Sequence, residues 1–370
     1  MKKNSICTRS PKVRAKARRG SITIGMDLGD KTSRYCVLDG INIIKEGSVA
    51  TTKKAMAQVF GSKKHCRIAI EVGGHSPWVS RLLKSLGHEV IVANARQVKL
   101  ISQSSRKDDR LDAQTLARLA HVDPQLLRPI QHRSEKAQAD LMRIRVRAAL
   151  VDTRTGLVNT ARGLAKAIGE RLPVCDADAF TLERLKELPA DLREVLEPLV
   201  KTIETLTEKI KQSEAELEQI ARNQYPETAL LRQVSGVGTL IALTFVLTVE
   251  DHQRFQKSRD VGCYVGLRPK RSESGERQPQ LRITKEGDRY LRKMLVQGAH
   301  YILGWRGPDT DLRRWGLKLA ERGGKNARKR AIVAVARKLA VLLHRLWATA
   351  EVYEPLRNCQ AREATRKAAA

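Results

Sequence analysis

Residues 21–27, Ser-Ile-Thr-Ile-Gly-Met-Asp, are the stretch of sequence that decides the fold. Ile22, Ile24 and Met26 recur with the period of a half-buried β-strand, and this period places the carboxylate of Asp27 on the opposite face. Two more β-like runs follow at 34–38 and 41–49, set off by turn-forming Gly-Asp and Asp-Gly pairs. Three runs so close in sequence predict an antiparallel meander.

Helical and β-like segments alternate after the meander. Periodicity and capping residues predict helices at 53–60, 77–86, 94–101 and 109–121, and strands at 66–70 and 88–93. Three strands followed by α-β-α-β-α is an order that resembles the ribonuclease H or RuvC-like α/β fold. In a mixed sheet of this kind, ligands lie at the carboxyl ends of the central strands. Asp27 and Glu71 are expected at such ends.

The middle of the chain is charged, poor in glycine and predicted to be helical, with a first helix at 135–167. A second helix carries the a/d spacing of a coiled coil with one polar position, at Leu192, Leu196, Leu199, Ile203, Leu206, Ile210, Ser213, Leu217 and Ile220. Its partner is either the first helix, folded back across the linker at 173–189, or the same helix in another subunit. Pro198 is expected in the first turn of the second helix or at a kink.

The C-terminal part is predicted to be mainly α-helical. It begins with Val234-Ser-Gly-Val-Gly238, a pattern typical of a helix–hairpin–helix turn in which Gly236 and Gly238 let backbone N–H groups approach a phosphate. Such turns also occur where helices only pack together. A loop rich in Arg, Ser and Gly is expected at 267–283, followed by a basic helix at 288–300 and a cationic amphipathic helix at 325–347.

These patterns divide the chain into five segments. They are a basic flexible arm at 1–20, a RuvC-like metal domain at 21–125, a helical coiled-coil hairpin at 130–225, a C-terminal domain at 226–350 and a tail at 351–370. The arm holds eight Lys or Arg residues and no acid, a composition that favours a chain lying along a phosphate backbone. A tail that only keeps the protein in solution would have the same composition.

Charge narrows the range of partners. Seventy Lys and Arg against forty Asp and Glu give a formal net charge of +30, which makes nucleic acid the leading partner. A solvated basic surface and an anionic membrane are the alternatives, but no amphipathic anchor or lipidation motif supports a membrane. Six cysteines without a CxxC pair indicate neither zinc nor a disulfide framework. Without a secretory signal or a membrane-spanning run, the sequence predicts a cytoplasmic, nucleoid-associated protein.

Four carboxylates are candidates for a metal site: Asp27, Glu71, Asp109 and Asp112. Asp109 and Asp112 are three apart on a helix and share a face, with Leu111 and Leu116 expected to turn inward. Hard oxygen ligands in a basic protein suit one or two Mg²⁺ or Mn²⁺ ions, which would polarise a phosphate that is being cut. Taken singly, each acid also has an ordinary explanation as a turn former, a strand-end charge or a helix N-cap.

Two sets of motifs together resemble the DEDD insertion-sequence transposases described as bridge-RNA-guided recombinases. The first set is Asp27 after a strand, Glu71 before Gly73-Gly74, and Lys107-Asp-Asp-Arg-Leu-Asp-Ala113. The second set is Val234-Ser-Gly-Val-Gly, Phe255, Gly266-Leu-Arg-Pro269, Glu273-Ser-Gly275, Ile283-Thr-Lys-Glu-Gly287 and Leu291-Arg292. The resemblance implies a RuvC-like domain joined to a C-terminal transposase domain.

The resemblance also implies a serine nucleophile, Ser274, which attacks DNA and forms a covalent phosphoserine intermediate. Glu273 stands where the family has glutamine, Ser272 offers a second hydroxyl, and Asp108 adds an acid beside Asp109. Because a serine hydroxyl needs a base or a metal to react, the family mechanism brings the carboxylates to Ser274 from another subunit of a homodimer or homotetramer. A guide noncoding RNA would select the donor and target DNA.

Basic residues near Ser274 are expected to bind phosphates, namely Arg268, Lys270, Arg271, Arg277, Lys285, Arg289, Arg292 and Lys293. A solvated basic face is the alternative. Aromatic residues make up 4% of the chain, so base stacking is not expected to dominate binding.

The leading hypothesis is therefore a magnesium-dependent DNA recombinase of a bacterial mobile element that acts through a serine. A junction-resolving nuclease that uses only the carboxylates and water is the alternative enzyme. The alternative outside the enzymes is a non-catalytic nucleic-acid scaffold built on the coiled coil.

Overall fold

A computed structural model describes residues 22–94, 108–275, 277–279 and 281–358 of the chain. They belong to two compact units, one ending at Arg133 and the other beginning at Ser134. The predicted arm at 1–20, the body of the predicted helix at 94–101 and the end of the predicted tail lie outside the described residues. No helix within the described ranges is long and apolar enough to cross a membrane.

The described residues of the first unit form one mixed sheet of five strands. The strands are β1 (Ile22–Asp27), β2 (Thr32–Asp39), β3 (Asn42–Ala50), β4 (Arg67–Glu71) and β5 (Glu89–Ala93). They lie in the order β3-β2-β1-β4-β5, with β1 antiparallel to β2 and parallel to β4. The predicted meander and α/β architecture are confirmed, and the arrangement is consistent with a ribonuclease H-like fold.

In the described part of this unit, three α-helices cover the sheet: α1 (Lys53–Gly61), α2 (Ser76–Ser85) and α3 (Asp109–Val122). Ile24 and Met26 of β1 pack with Phe60 of α1 and Leu83 of α2. The side chains that alternate with them along the strands face the other way, where Ala69 of β4 packs with residues of α3. The sheet therefore lies between two helical layers.

The helix α3 begins at Asp109, as predicted. Asp108 is its N-cap, because its side chain accepts the backbone N–H of Arg110 at 2.9 Å, so the alternative explanation of Asp109 as a helix N-cap does not hold. The prediction that Leu111 turns inward is wrong, since its side chain is 40% exposed, whereas Leu116 is fully buried. Leu111 lies outside the buried stripe of α3, which consists of Ala113, Leu116, Ala117 and Ala120.

The second unit begins with two long helices, α4 (Glu135–Ala167) and α5 (Ala190–Gln224). Arg143 pairs with Glu216, and farther along α4 Arg154 donates to Thr207. These contacts run in opposite directions along the two helices, which therefore form an antiparallel hairpin.

The buried stripe of α5 follows the predicted a/d seam only in part. Leu199 and Leu206 are half-buried, and the neighbouring Val200 and Thr207 are buried instead. A strict seven-residue repeat drifts round the surface of a helix with 3.6 residues per turn, which explains the change of position. Pro198 lies inside the helix and not in its first turn. A true coiled coil, and a second subunit as its partner, stay predictions.

Between the hairpin and residue 358, the described residues form six α-helices: α6 (Glu227–Leu231), α7 (Thr239–Val249), α8 (Arg259–Tyr264), α9 (Arg289–Leu303), α10 (Asp311–Ala320) and α11 (Ala327–Thr349). Their common core includes Phe245, Leu295 and Leu339. On another side of α7, Leu243 packs with Leu141 of α4. The helical hairpin and the C-terminal helices are therefore tied together within the second unit, and the predicted helical character of this region is confirmed.

Candidate functional site

Asp27 and Glu71 end neighbouring parallel strands of the first unit. The last pair in the register of β1 and β4 is Met26 with Ile70, so the next residue on each strand lies at the same edge of the sheet. Both carboxylates are half-buried. This edge is the carboxyl end of two central strands, where the sequence predicted a ligand site.

Gly25 allows α3 to approach this edge. A Cβ at residue 25 would lie 2.1 Å from the carbonyl oxygen of Ala113 and 2.3 Å from the amide nitrogen of Ala117. Only a residue without a side chain lets the backbone of α3 rest directly on β1. The contact holds Asp109 and Asp112, both in the first turn of α3, near the strand ends.

The four carboxylates interact electrostatically. Burial, and then the negative charges of Asp109, Glu71 and Asp112, raise the pKa of Asp27 from 3.8 to about 6, although a backbone hydrogen bond from Leu28 opposes the shift. Burial and the charge of Asp112 also raise the pKa of Glu71. Negative charge is thus concentrated along one edge of the sheet in a chain with a net charge of +30, and a proton or a cation would stabilise it.

The chemistry of these donors fits a hard divalent cation. Carboxylate oxygens are the preferred ligands of Mg²⁺ and Mn²⁺, and a cation would offset both the burial and the neighbouring negative charges that raise the pKa of Asp27. Among the described residues, no three His, Cys, Asp or Glu side chains already surround a single point, so the carboxylates would have to turn toward an ion. Asp109 is exposed and has the space to do so.

Sequence reasoning missed two polar residues that follow the same strand ends, Asp30 and His75. His75 Nε2 lies 3.3 Å from Asp30 Oδ1, and Trp78 Nε1 donates to His75 Nδ1 at 3.1 Å. Because an indole N–H can only donate, Nδ1 is the acceptor, and Nε2 carries the proton that Asp30 accepts. The signal was available, since Asp30 comes three residues after Asp27 and His75 four residues after Glu71.

Ser274 of the second unit lies at the tip of a hairpin, which we call the serine hairpin (described residues 266–275, 277–279 and 281–287). Two backbone hydrogen bonds of 2.9 Å join its arms at 268–270 and 282–284. Ser274 and Arg277 exchange two further backbone bonds of 3.3 and 3.1 Å, and Gly275 has a φ of +56°. The sequence predicted only a loop here. The structure instead shows the serine on an exposed tight turn.

Two glycines form the base of the serine hairpin. Gly266 and Gly287 have φ values of +70° and +72°, in the left-handed region that favours glycine. A Cβ on Gly266 would lie 2.1 Å from the carbonyl oxygen of Glu286, and one on Gly287 would lie 2.0 Å from that of Tyr264. The base therefore depends on close backbone contacts that no other residue type permits.

Arg292, which the sequence assigned to phosphate, has another role in the structure. Its Nη1 donates to the carbonyl oxygens of Val265 at 3.0 Å and Glu286 at 2.6 Å. Burial lowers the pKa of its guanidinium. This part of the side chain holds the base of the serine hairpin and is not available to a phosphate.

The other basic residues near Ser274 differ in their partners. Lys293 pairs with Asp152 at 3.4 Å, and Arg271 lies 4.0 Å from Glu273. Within the described ranges, six cations of this region form no ion pair, namely Arg268, Lys270, Arg277, Arg282, Lys285 and Arg289. Arg282 was not among the predicted residues. These unpaired side chains are available to bind phosphate groups.

The two glycines of the Val234-Ser-Gly-Val-Gly238 turn have different surroundings. Gly236 has a φ of +86°, and a Cβ there would lie 3.0 Å from both Gly298 O and Tyr301 Cδ1, so it serves the packing of α9. Gly238 precedes α7 with open space around it and lines an open groove of about 390 Å³, together with Arg232, Gln297 and Tyr301. A phosphate contact at either glycine stays a prediction.

A mixed sheet with carboxylates at its central strand ends, followed by a helical region, is the arrangement expected of a DEDD enzyme. Two family models match the chain. One, described as a transposase of the DEDD type of IS110, covers residues 24–169, and the other, described as the transposase IS116/IS110/IS902 family, covers residues 228–312. Both models describe transposases of the IS110 type, to which the chain is similar in two separate regions, and the protein is a transposase, a DNA-cleaving and strand-transferring enzyme.

Proteins that are similar to this chain along most of its length are also named as transposases. A transposase for insertion sequence element IS1111A of Coxiella burnetii is 29% identical over 89% of this chain and 90% of its own length. A probable family 20 transposase of Pseudomonas aeruginosa is 28% identical over 90% of this chain and 98% of its own length. The predicted class of enzyme and the resemblance to DEDD transposases are confirmed at this level.

Proposed function

We propose that this transposase cuts and rejoins DNA in a magnesium-dependent reaction in which Ser274 becomes covalently bound to the DNA. The observation that carries the proposal is the concentration of four carboxylates, Asp27, Glu71, Asp109 and Asp112, beside one sheet edge of a strongly basic chain. A protein that only bound DNA would gain nothing from such a cluster, because carboxylates repel phosphate.

The four carboxylates would hold the metal. Bound Mg²⁺ or Mn²⁺ supplies Lewis acidity, which withdraws charge from a phosphate and favours deprotonated oxygen nucleophiles. Asp27 must give up its proton before it can coordinate, and with a pKa of about 6 it does so at neutral pH. Glu71 holds the second position at the sheet edge, and α3 brings Asp109 and Asp112 to it over Gly25.

Ser274 would supply the nucleophile. Its Oγ attacks phosphorus, the bond from phosphorus to one strand oxygen breaks, and that oxygen leaves as a protonated hydroxyl. The phosphodiester is exchanged for a phosphoserine ester, so the hydroxyl of another strand can reverse the step and rejoin DNA without an added energy source. Within the described residues Ser274 Oγ has no side-chain hydrogen-bond partner, so its activation is expected from the carboxylate site of another subunit.

The unpaired cations of the serine hairpin would position the scissile phosphate. Lys285 and Arg289 lie at the end of the hairpin and the start of α9, and Arg277 lies at the tip with Ser274. Their charges would neutralise the phosphate as negative charge builds up during attack.

Recognition of DNA sequence is assigned in this proposal to a guide noncoding RNA, with the enzyme working as a homodimer or homotetramer in the nucleoid-containing cytoplasm. Support comes from the net charge of +30, which suits binding of phosphate backbones without base readout. Sequencing of the RNA that remains bound to the purified protein tests this part, and the absence of one enriched RNA species would contradict it.

The covalent step is tested with a DNA substrate that carries the element end, followed by denaturing gels and mass spectrometry of the adduct. We expect a protein–DNA adduct on Ser274 in the wild type and in Ser272→Ala. We expect no adduct in Ser274→Ala, because the nucleophile is gone, or in Asp27→Asn, because the metal site is incomplete.

The alternative, a junction-resolving nuclease that uses water, makes the opposite prediction for the serine. Ser274→Ala would then cleave at the wild-type rate and leave free 5′-phosphate ends. Cleavage that persists in Asp27→Asn and Glu71→Gln would contradict both enzymes and favour another site.

A further inference from the structure

Trp305 is exposed in a chain that otherwise packs its tryptophans. Its side chain is 84% exposed. Trp315 and Trp347 pack against the core of the second unit, and Trp78 packs against that of the first. Because burying an indole is strongly favourable, the position of Trp305 needs a physical reason.

Trp305 occupies a tight turn that the surrounding backbone fixes. The turn follows α9 and is closed by the backbone hydrogen bond from Gly307 to the carbonyl of Gly304, at 3.2 Å. Arg313 of α10 donates to the carbonyl oxygens of Ile302 at 2.6 Å and Gly304 at 2.5 Å. A Cβ on Gly307 would lie 2.3 Å from Ile302 O. The indole is therefore presented from a rigid support and not from a loose loop.

A cation and a second aromatic ring accompany the indole. The guanidinium of Arg306 lies over the Trp305 ring, 4.4 Å from its centroid, and forms no ion pair within the described ranges. Tyr301, one turn earlier and 46% exposed, lines the open groove that also contains Gly238 and Arg232. Arg232 is itself paired with Glu218 at 2.7 Å, so Arg306 is the cation that remains available. An aromatic face beside an unpaired cation is the combination that binds unpaired bases and their phosphates.

We propose that Trp305 is a stacking platform for an unpaired base of the DNA on which this transposase acts. The inference rests on the proposed strand cutting and rejoining, which leaves bases unpaired next to the exchanged strands. One ring face carries Arg306, and the opposite face takes the base, while the guanidinium attracts the adjoining phosphate. Because the turn is already rigid, ordering it on binding costs little.

The test uses the full-length protein without a divalent metal and measures binding of a labelled single DNA strand by fluorescence anisotropy. A second strand of equal length that lacks its bases keeps the phosphates and removes the stacking partners. We expect Trp305→Ala to weaken binding of the base-containing strand about 5- to 100-fold and to leave binding of the abasic strand unchanged. Trp305→Phe keeps a ring and retains most of the affinity.

Val195→Ala is the matched control, because Val195 is an exposed apolar side chain on α5 that the proposal does not involve, and it should bind both strands as the wild type does. The proposal would be overturned if Trp305→Ala lost affinity equally for both strands or lost affinity for neither. It would also be overturned if the sedimentation coefficient of Trp305→Ala changed without a base-dependent loss of affinity. A base-dependent loss seen only with an RNA strand would overturn the assignment to DNA.

This assay involves neither Ser274 nor the carboxylates. A base-dependent loss together with an absent serine adduct would therefore leave Trp305 as a base contact and refute the covalent mechanism. A normal serine adduct together with unchanged binding by Trp305→Ala would support the covalent mechanism and refute the base contact at Trp305.

Discussion

Asp27 is held in the fold at a cost to stability in the absence of metal. Its pKa is about 6 in the folded protein, against an ordinary value of 3.8, so the folded state binds a proton more tightly than the unfolded state. The cost is fully present above pH 6 and disappears as the pH falls through 6 toward 3.8. A shift of this size corresponds to at most about 3 kcal/mol, and partial exposure reduces it to about 1–2 kcal/mol.

We therefore predict that Asp27→Asn stabilises the metal-free protein at pH 8 and not at pH 4. Denaturant unfolding in a chelator at several pH values measures the difference, expected at about 1–2 kcal/mol. Asp39→Asn, at the exposed end of β2, is the control and should leave stability nearly unchanged at both pH values. A destabilised Asp27→Asn at pH 8 would show that burial and the neighbouring carboxylates do not disfavour the ionised Asp27.

Gly25 is the residue on which the geometry of the site depends most directly. We predict that Gly25→Ala destabilises the first unit by about 3 kcal/mol or more, because the added methyl would overlap the backbone of α3. The variant should also lose DNA cleavage, since α3 carries two of the four carboxylates. Gly163→Ala, in α4 with open space around the glycine, is the control and should be neutral or stabilising. A Gly25→Ala protein with wild-type stability would contradict the close contact.

At the scale of elements, the serine hairpin depends on the two glycines at its base. We predict that Gly266→Ala abolishes the covalent DNA adduct, because a Cβ would lie 2.1 Å from Glu286 O at a φ of +70°. Mg²⁺ should still stabilise the first unit of this variant, as measured by thermal unfolding with and without the ion. Loss of both properties would mean that the substitution acts on the whole protein and not on the hairpin.

Elements with a clear hydrophobic period could be predicted from sequence, and elements without one could not. The strands around Asp27 and Glu71 and the helix at Glu135–Ala167 follow their patterns closely. For the serine hairpin the sequence predicts only a loop, because its arms are polar and are joined by backbone hydrogen bonds, which leave no alternation of apolar side chains. The prediction for Leu111 fails because residues two apart on a helix do not share a face, so Leu111 does not lie on the buried stripe that includes Ala113.

The carboxylate site was predictable to the level of its residues but not of its contacts. Asp27 and Glu71 lie at the ends of strands, and the alternation of apolar side chains along those strands predicts this position. The close approach of α3 over Gly25, and the pairing of Asp30 with His75, depend on backbone positions in three dimensions. Likewise nothing in the one-dimensional pattern distinguishes Arg292, which holds the hairpin, from Arg289, which is unpaired.

At the scale of the whole molecule, the net charge of +30 predicts strongly salt-dependent DNA binding. We predict that Arg289→Ala lowers the slope of log affinity against log salt by about 1, since Arg289 is among the unpaired cations near Ser274. Arg143→Ala, which removes a residue already paired with Glu216, should leave the slope unchanged. Binding titrations at several salt concentrations measure both slopes, and equal slopes for wild type and Arg289→Ala would remove Arg289 from the interface.

The most direct test of the account is a calorimetric titration of Mg²⁺ into the wild type, Asp27→Asn and Glu71→Gln. We predict binding of one or two ions by the wild type and a loss of at least one of them in each variant, because each removes a carboxylate from the same sheet edge. Unchanged binding in both variants, or no binding by the wild type in the presence of DNA, would contradict the assignment of a metal site to Asp27, Glu71, Asp109 and Asp112.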